Sequence, residues 1–337
     1  KYETKLLVRS WFFKIFSILS LLVAPIYGAV LLFDESQIPS AIKSVVPYSL
    51  LLIMNVGQAI VCIFLSSEYL KRDKQLDTSE VFYTRPLSNA EYLLGKMLAT
   101  IRVFFVLDFM ILAVALLMSM IKMGFDLDYL SYLWYFLLLC VPTLVFITGL
   151  STTLMLIVKN QALTLVLLLA YIGVTLFYID DIYYYLFDYI GFNLPMLKST
   201  ITGFGNISAL ITHRACYLLL GIGLILCSIS LFRRLPNSRY SLLPWRIAAC
   251  VFLLSGFYAG YRHVSRYTGN EKYRNEIIAL NNLHVHDPKM EVDTCLLEVI
   301  QNDDVLTVKA SMIVKPVQKS DKFTFCLNPG FSVNSVK

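Results

Sequence analysis

The sequence has few charged residues, and this scarcity excludes an ordinary soluble enzyme. Of its 337 residues only 15% are charged and 57% are hydrophobic, and the mean hydropathy is +0.66. Soluble globular domains carry about 25% charged and 45–50% apolar residues. The net charge of +6 does not indicate nucleic-acid binding, because in so apolar a chain the location of the positive charges matters more than their sum. We therefore expect a polytopic membrane protein with no nucleic-acid partner.

Motifs for catalysis and cofactor binding are also missing. The seven cysteines include no Cys-x-x-Cys pair, so the sequence predicts no zinc or redox motif. Gly95-Lys96 lacks the upstream glycine and the following hydroxyl of a phosphate-binding loop. No His-Glu-x-x-His occurs, and His284 and His286 have no evident third metal ligand. We expect no catalytic residue, no cofactor and no metal in this chain.

Long apolar runs dominate residues 1–262. Each is long enough to cross about 30 Å of hydrocarbon as a helix. The sequence therefore predicts an all-α membrane bundle of about seven transmembrane helices. The predicted spans lie near 11–33, 45–67, 98–121, 130–157, 161–179, 212–232 and 243–261.

Positive charges are distributed unequally between the two sides of this bundle. With the N-terminus in the cytoplasm, the cytoplasmic pieces carry 13 Lys and Arg residues and the opposite loops carry 3. Such asymmetry follows the positive-inside rule. It predicts a cytoplasmic N-terminus and, with seven spans, an extracytoplasmic C-terminal segment.

The segment 263–337 differs in kind from the bundle. It has no run long enough to span, and apolar and polar residues alternate in 305–314 and 322–327. Alternation of this kind is typical of half-buried strands. We expect a small extracytoplasmic β-domain that is incomplete in this chain, because three or four strands make a poor core.

The loop 68–97 is the most informative part of the chain. Pro86 ends a short amphipathic helix near 76–86, and Ser88 and Glu91 are spaced as a capping box for the next helix. The apolar residues of the short helix have no core of their own to cover. From this pattern alone, a plain surface helix and a docking helix stay equally open.

The runs Thr84-Arg85-Pro86-Leu87-Ser88 and Glu91-Tyr92-Leu93-Leu94-Gly95-Lys96 resemble the signature of ABC-2-type transporter permeases. In that family the segment is a coupling helix that docks on the ATP-binding subunit. The resemblance implies an ABC ATPase partner that binds the ATP, and a second permease copy or paralogue. The implied docking residues are Asp77, Glu80, Val81, Phe82, Tyr83 and Arg85.

The layout of the spans is similar to the same family. A long cytoplasmic second loop, a tight hairpin at Lys159-Asn160 and a long segment before the sixth span all correspond. Residues 180–211 resemble the family's short re-entrant outer helices, whereas the seventh span departs from its six-span core. The resemblance implies a multi-pass exporter subunit in the bacterial cytoplasmic membrane.

The C-terminal segment carries a second, weaker resemblance. Glu291-Val-Asp-Thr, the strand from Leu306 and the run from Phe323 are similar to the start of the N-terminal β-domain of aminopeptidase N-like zinc peptidases. An alternative function therefore stays open, in which an extracytoplasmic peptidase-like or binding module is anchored by the membrane part.

Two polar features lie within the apolar runs. Asp108 lies in the third span, where acids are costly and often functional. It either faces the bundle and pairs with a neighbour, or serves a substrate path or subunit contact. His213-Arg214 begins the sixth span, and its position at the span's end predicts an interfacial anchor.

Overall fold

The computed structural model describes residues 2–33, 43–75, 88–179, 182–199, 203–232, 242–288, 290–302, 305–317, 327 and 332–335. The chain divides into two compact units, residues 1–266 and residues 267–337. The predicted coupling helix at 76–86 lies outside the described residues, and so does the predicted strand at 322–327 except for Leu327.

The first unit is helical, and helices begin where the sequence supplies caps. At the start of α4, Ser88 Oγ accepts from Glu91 N (3.1 Å) and Glu91 Oε2 accepts from Ser88 N (2.7 Å), which confirms the capping box. The helices are α1 (Tyr2–Arg9), α2 (Trp11–Phe33), α3 (Val45–Gln75), α4 (Asn89–Met123), α5 (Tyr129–Tyr135), α6 (Val141–Val158), α7 (Gln161–Phe177), α8 (Ile207–Leu231) and α9 (Leu243–Leu283). A π-helix, Phe136–Cys140, joins α5 to α6 without a break.

Six of the described helical segments are long and apolar enough to cross a membrane. They are α2, α3, α4, the continuous α5–α6 helix, α8 and α9. This confirms a multi-pass helical membrane protein. The predicted fifth span is the 17-residue helix α7, whose length of about 25 Å falls short of a 30 Å hydrocarbon core.

The helices of the bundle differ strongly in burial. About two thirds of the most apolar window of α5–α6 is buried inside the bundle, whereas α2 buries 17% of its own window. Apolar side chains of α2 such as Trp11, Ile15 and Leu22 are exposed, as suits a helix that faces lipid. The interior is formed by the buried faces of α3, α4, α6 and α8, so functional side chains on these faces are shielded from lipid.

A tight turn at Lys159 and Asn160 joins α6 to α7, as the sequence predicts. Lys159 adopts a left-handed conformation (φ 58°) that ends α6. The Asn160 side chain then accepts from Leu163 N at 3.2 Å and caps α7.

Helices α6 and α8 approach each other closely at a pair of glycines. A Cβ atom on Gly221 would lie 2.6 Å from Phe146 N, and one on Gly149 would lie 2.7 Å from Gly221 O. Small residues let helix backbones approach in this way. The predicted close packing at Gly221-x-Gly223 is confirmed.

Gly221→Ala is expected to lower the free energy of unfolding by about 1–3 kcal/mol, because the new methyl group overlaps the α6 backbone. Gly173→Ala in α7 is the matched control, since nothing lies within 4 Å of that Cβ position. Alanine there should leave stability unchanged or raise it by up to about 1 kcal/mol. Denaturant unfolding of both variants in detergent measures the difference. Equal stabilities would contradict the described helix contact.

The second unit contains a two-stranded antiparallel sheet. Strands β1 (Met290–Asn302) and β2 (Val305–Pro316) pair over their full length, with one irregularity between Val292 and Thr294. The alternation predicted for 305–314 is therefore confirmed as strand. Apolar residues such as Leu296 and Ile313 are exposed on it.

Candidate functional site

A cluster of polar side chains lies fully buried between α3, α4, the π-helix, α6 and α8. No member exposes more than 1% of its surface. Polar groups in a membrane interior are expensive, and they mark functional or structural sites. The members of this buried polar cluster are Asn55, Gln58, Asp108, Cys140, Thr143 and Arg214.

The π-helix supplies free backbone carbonyls to the cluster. In a regular α-helix the Leu138 carbonyl would accept from the residue four positions later, but that residue is Pro142, which has no N–H. The chain instead widens into a π turn, and Val141 N donates to Phe136 O. Such turns are frequent at functional sites. In this bundle the turn points polar backbone atoms into the interior.

Arg214 on α8 satisfies these acceptors. Its Nε donates to Leu138 O at 2.5 Å, and its Nη2 donates to Leu139 O at 3.0 Å and to Thr143 Oγ1 at 2.8 Å. Its Nη1 donates to Tyr189 O at 3.0 Å. Through these hydrogen bonds the guanidinium group links α8 to the π-helix, to α6 and to the segment that follows α7. The prediction of an interfacial anchor at His213-Arg214 is wrong, because both side chains are at most 1% exposed.

Asn55 and Gln58 on α3 extend the same network. Asn55 Nδ2 donates to Ile190 O at 2.6 Å and to Thr143 Oγ1 at 3.0 Å. Asn55 Oδ1 accepts from Gln58 Nε2 at 2.7 Å. Gln58 therefore orients Asn55, and Asn55 donates to the same hydroxyl of α6 as Arg214 does.

A connecting segment, residues 182–199, enters the bundle at this cluster through the carbonyls of Tyr189 and Ile190. It consists of turns and extended stretches rather than the re-entrant helices that the resemblance implied. The Asp188 carboxylate holds the connecting segment in a turn, because its Oδ1 accepts from Gly191 N (2.9 Å) and Phe192 N (3.1 Å). Its Oδ2 accepts from Asn193 N (2.7 Å) and Leu194 N (3.1 Å).

The beginning of the connecting segment is strained. Tyr183, Tyr184 and Tyr185 have φ values of 51°, 60° and 65°, a left-handed conformation that costs about 1–2 kcal/mol per residue. Two buried histidines hold it: His213 Nε2 bonds Tyr185 O (2.8 Å) and His263 Nε2 bonds Tyr184 O (2.9 Å). Strain of this kind persists only where the surroundings enforce it.

The other end of the connecting segment is fixed by Lys198. Its Nζ lies 2.5 Å from Asp128 Oδ2, its backbone N donates to Tyr135 Oη, and its carbonyl accepts from Ser44 Oγ. Burial acts to raise the pKa of Asp128, but the hydrogen bonds from Lys198 and Ser131 and the Lys198 charge hold this pKa below its ordinary value. The segment is thus attached to α3, α5 and α8.

Asp108 is the one member of the cluster whose ionisable group takes no part in this hydrogen-bond network. It is fully buried, and neither carboxylate oxygen has a hydrogen-bond partner among the described residues. Its polar neighbour is the thiol of Cys140, which also lies against the Gln58 amide. The expectation that Asp108 faces the bundle is confirmed, whereas no described hydroxyl pairs with it.

The six residues implied for ATPase docking, Asp77 to Arg85, lie outside the described residues, and their roles stay predictions. Among the residues that the structure describes, no group of histidine, cysteine or acidic side chains could hold a metal ion. Asn55, Gln58 and Thr143 are not predicted from the sequence, and Arg214 is predicted in the wrong place. The sequence signal that could have identified this cluster is the presence of a cationic side chain and two amide side chains within apolar runs.

Comparison with known proteins found no match: no family model, no curated protein and no solved structure is similar to this chain.

Proposed function

We propose that the chain is the membrane-spanning permease subunit of an ABC-type exporter. In this proposal a separate ATP-binding subunit hydrolyses ATP, and a second permease copy or paralogue completes the pore. The chain would lie in the bacterial cytoplasmic membrane with its N-terminus in the cytoplasm. Its C-terminal segment would lie outside on the condition that α7 crosses the membrane as a seventh span in addition to the six long helices.

The observation that carries the proposal is the loop between α3 and α4. Helix α3 continues to Gln75, eight residues beyond the end of its apolar span at Ser67. Helix α4 is 35 residues long, about 50 Å, which exceeds a hydrocarbon core of about 30 Å. The two helices precede and follow residues 76–88, and the family-like run 84–96 continues into the first two turns of α4.

The buried polar cluster supports a mechanical role for the bundle. Hydrogen bonds of Arg214 and Asn55 join α3, α6, α8 and the connecting segment. Elements joined in this way move together when one of them is displaced. A displacement of α3 by the ATPase would therefore reach the connecting segment on the other side of the cluster.

Phe82→Ala is expected to weaken co-purification of the ATPase and to uncouple transport, because an aromatic anchor at the centre of an interface commonly costs about 2 kcal/mol or more when it is truncated. The measurement is a pull-down from mild detergent, combined with size-exclusion chromatography that checks folding of the permease.

Lys74→Ala is the control, because a charge on the rim of an interface contributes little. It should retain the ATPase as the parent does. Equal retention by Phe82→Ala and the parent contradicts the docking assignment. If no ATPase co-purifies with the parent itself, the alternative of a membrane-anchored extracytoplasmic peptidase-like or binding module is favoured.

A further inference from the structure

Three buried oxygen atoms of the polar cluster lack partners. They are Asp108 Oδ1, Asp108 Oδ2 and Gln58 Oε1, and none has a hydrogen-bond partner within the described parts of the chain. Both side chains lie against the Cys140 thiol, and both residues are 0% exposed. Native proteins pair nearly all buried polar groups, so unpaired oxygen atoms that occur together indicate a place where a ligand can bind.

Arg214, the cation already present in the cluster, does not pair with these three oxygen atoms. Arg214 directs Nε, Nη1 and Nη2 at the carbonyls of Leu138, Tyr189 and Leu139 and at the Thr143 hydroxyl. No ion pair to Asp108 occurs among the described side chains. A bare carboxylate in an apolar interior is far too costly to persist unpaired. Asp108 therefore needs a positive charge from outside the protein.

We propose that Asp108 and Gln58 form a binding site for a small monovalent cation, a proton or a sodium ion, within the membrane interior. Carboxylate and amide oxygens are acceptors only, so the site suits a cation and excludes an anion. One carboxylate balances one positive charge. A divalent ion would keep one positive charge without a balancing carboxylate among the described residues of the cluster.

A cation bound at this site would also affect how the connecting segment is held in the bundle. Gln58 Nε2 donates to Asn55 Oδ1, and Asn55 Nδ2 donates to Ile190 O in the connecting segment. A cation that takes Gln58 Oε1 as a ligand therefore fixes the amide whose nitrogen orients Asn55. Occupancy at Asp108 is linked in this way to the anchoring of the connecting segment.

The test is carbodiimide labelling of the full chain in lipid nanodiscs, with the modified peptide located by mass spectrometry. Dicyclohexylcarbodiimide enters apolar interiors and reacts with a protonated carboxyl group but not with a carboxylate. Labelling is measured in choline chloride at mildly acidic and alkaline pH, and again with sodium chloride replacing choline chloride at constant ionic strength.

We expect Asp108 to be labelled at acidic pH and several-fold less at alkaline pH, as a proton ligand requires. If sodium is the ligand, sodium chloride also reduces labelling several-fold at constant pH. Labelling that responds to neither pH nor sodium overturns the proposal, because it identifies a permanently neutral acid. Absence of labelling at Asp108 under every condition overturns it as well.

Variants test the two residues separately. Asp108→Asn should abolish the modified peptide and any sodium-dependent or pH-dependent shift in thermal unfolding that the parent shows, since a ligand that binds the native state raises its stability. Asp126→Asn is the control, because that side chain is 84% exposed, and it should keep the parent's response. Gln58→Leu should keep the labelling but weaken its response to pH or sodium several-fold. A response equal to the parent's excludes Gln58 from the site.

Discussion

Arg214→Ala is expected to lower the free energy of unfolding by about 4 kcal/mol. The change removes four buried hydrogen bonds and leaves the Leu138 carbonyl without its donor. Leu139 O and Thr143 Oγ1 still accept from Asn55, and Tyr189 O still accepts from Thr143. At the average measured for hydrogen bonds between membrane helices, about 0.6 kcal/mol, four bonds already exceed 2 kcal/mol. Hydrogen bonds to charged groups contribute about 1.5–3 kcal/mol each. Because native proteins are stable by only about 5–15 kcal/mol, little folded variant should be recovered.

The measurement is unfolding by sodium dodecyl sulfate in mixed micelles, followed by tryptophan fluorescence. Arg214→Lys should fall between the parent and the alanine variant, because an ammonium is a point charge that cannot reach several acceptors in a planar fork. Arg102→Ala on α4 removes an exposed arginine and should leave stability within about 0.5 kcal/mol. If Arg214→Ala is as stable as Arg102→Ala, Arg214 does not hold the bundle together.

Asp188→Ala is expected to cost about 3 kcal/mol, because four backbone N–H groups between Gly191 and Leu194 lose the carboxylate that accepts them. The carboxylate charge also interacts with the Arg214 guanidinium. Loss of Asp188 therefore weakens both the internal fold of the connecting segment and its attachment to α8. Faster proteolysis within 182–199 and a lower unfolding midpoint are the expected readouts.

The variant Asp188→Asn separates the contributions of the two carboxylate oxygen atoms, Oδ1 and Oδ2, to this loss of stability. An asparagine oxygen can still accept from Gly191 N and Phe192 N, whereas its amide nitrogen cannot accept from Asn193 N and Leu194 N. The variant should lose about half as much stability as the alanine variant. A result identical to the parent's would mean that the amide hydrogens of 193 and 194 have other acceptors.

The helices of this fold could be predicted from the sequence because they depend on local patterns. Apolar runs of about 20 residues, the Ser88–Glu91 capping box and the Lys159-Asn160 turn are each encoded within a few neighbouring residues. The same holds for the alternating residues of β2. Helix ends are harder to predict, because α3 and α9 continue into polar sequence that the hydropathy of a span does not include.

The buried polar cluster could not be predicted in the same way, because its members come from five separate helical elements, which are α3, α4, the π-helix, α6 and α8. Nothing local distinguishes Arg214, which lies deep in the bundle, from an arginine at the membrane surface. Its burial depends on acceptors 75 and 76 residues away in the chain, at Leu139 and Leu138. Asp108 could be singled out because an acid within an apolar run is conspicuous by itself.

The π-helix between α5 and α6 also changes the direction in which side chains point in α5 relative to α6, although the two helices form one continuous span. Each residue of an α-helix advances the side-chain direction by about 100°, and the wider π turn accommodates one residue more than an α turn does. A helical wheel drawn without interruption over 129–158 would therefore assign the faces of α5 wrongly. Tyr132 and Tyr135 of α5 and Thr143 of α6 are all buried, although the π turn rotates α5 by about 100° relative to α6 compared with such a wheel. One inserted residue thus lets two differently oriented apolar faces serve the same interior.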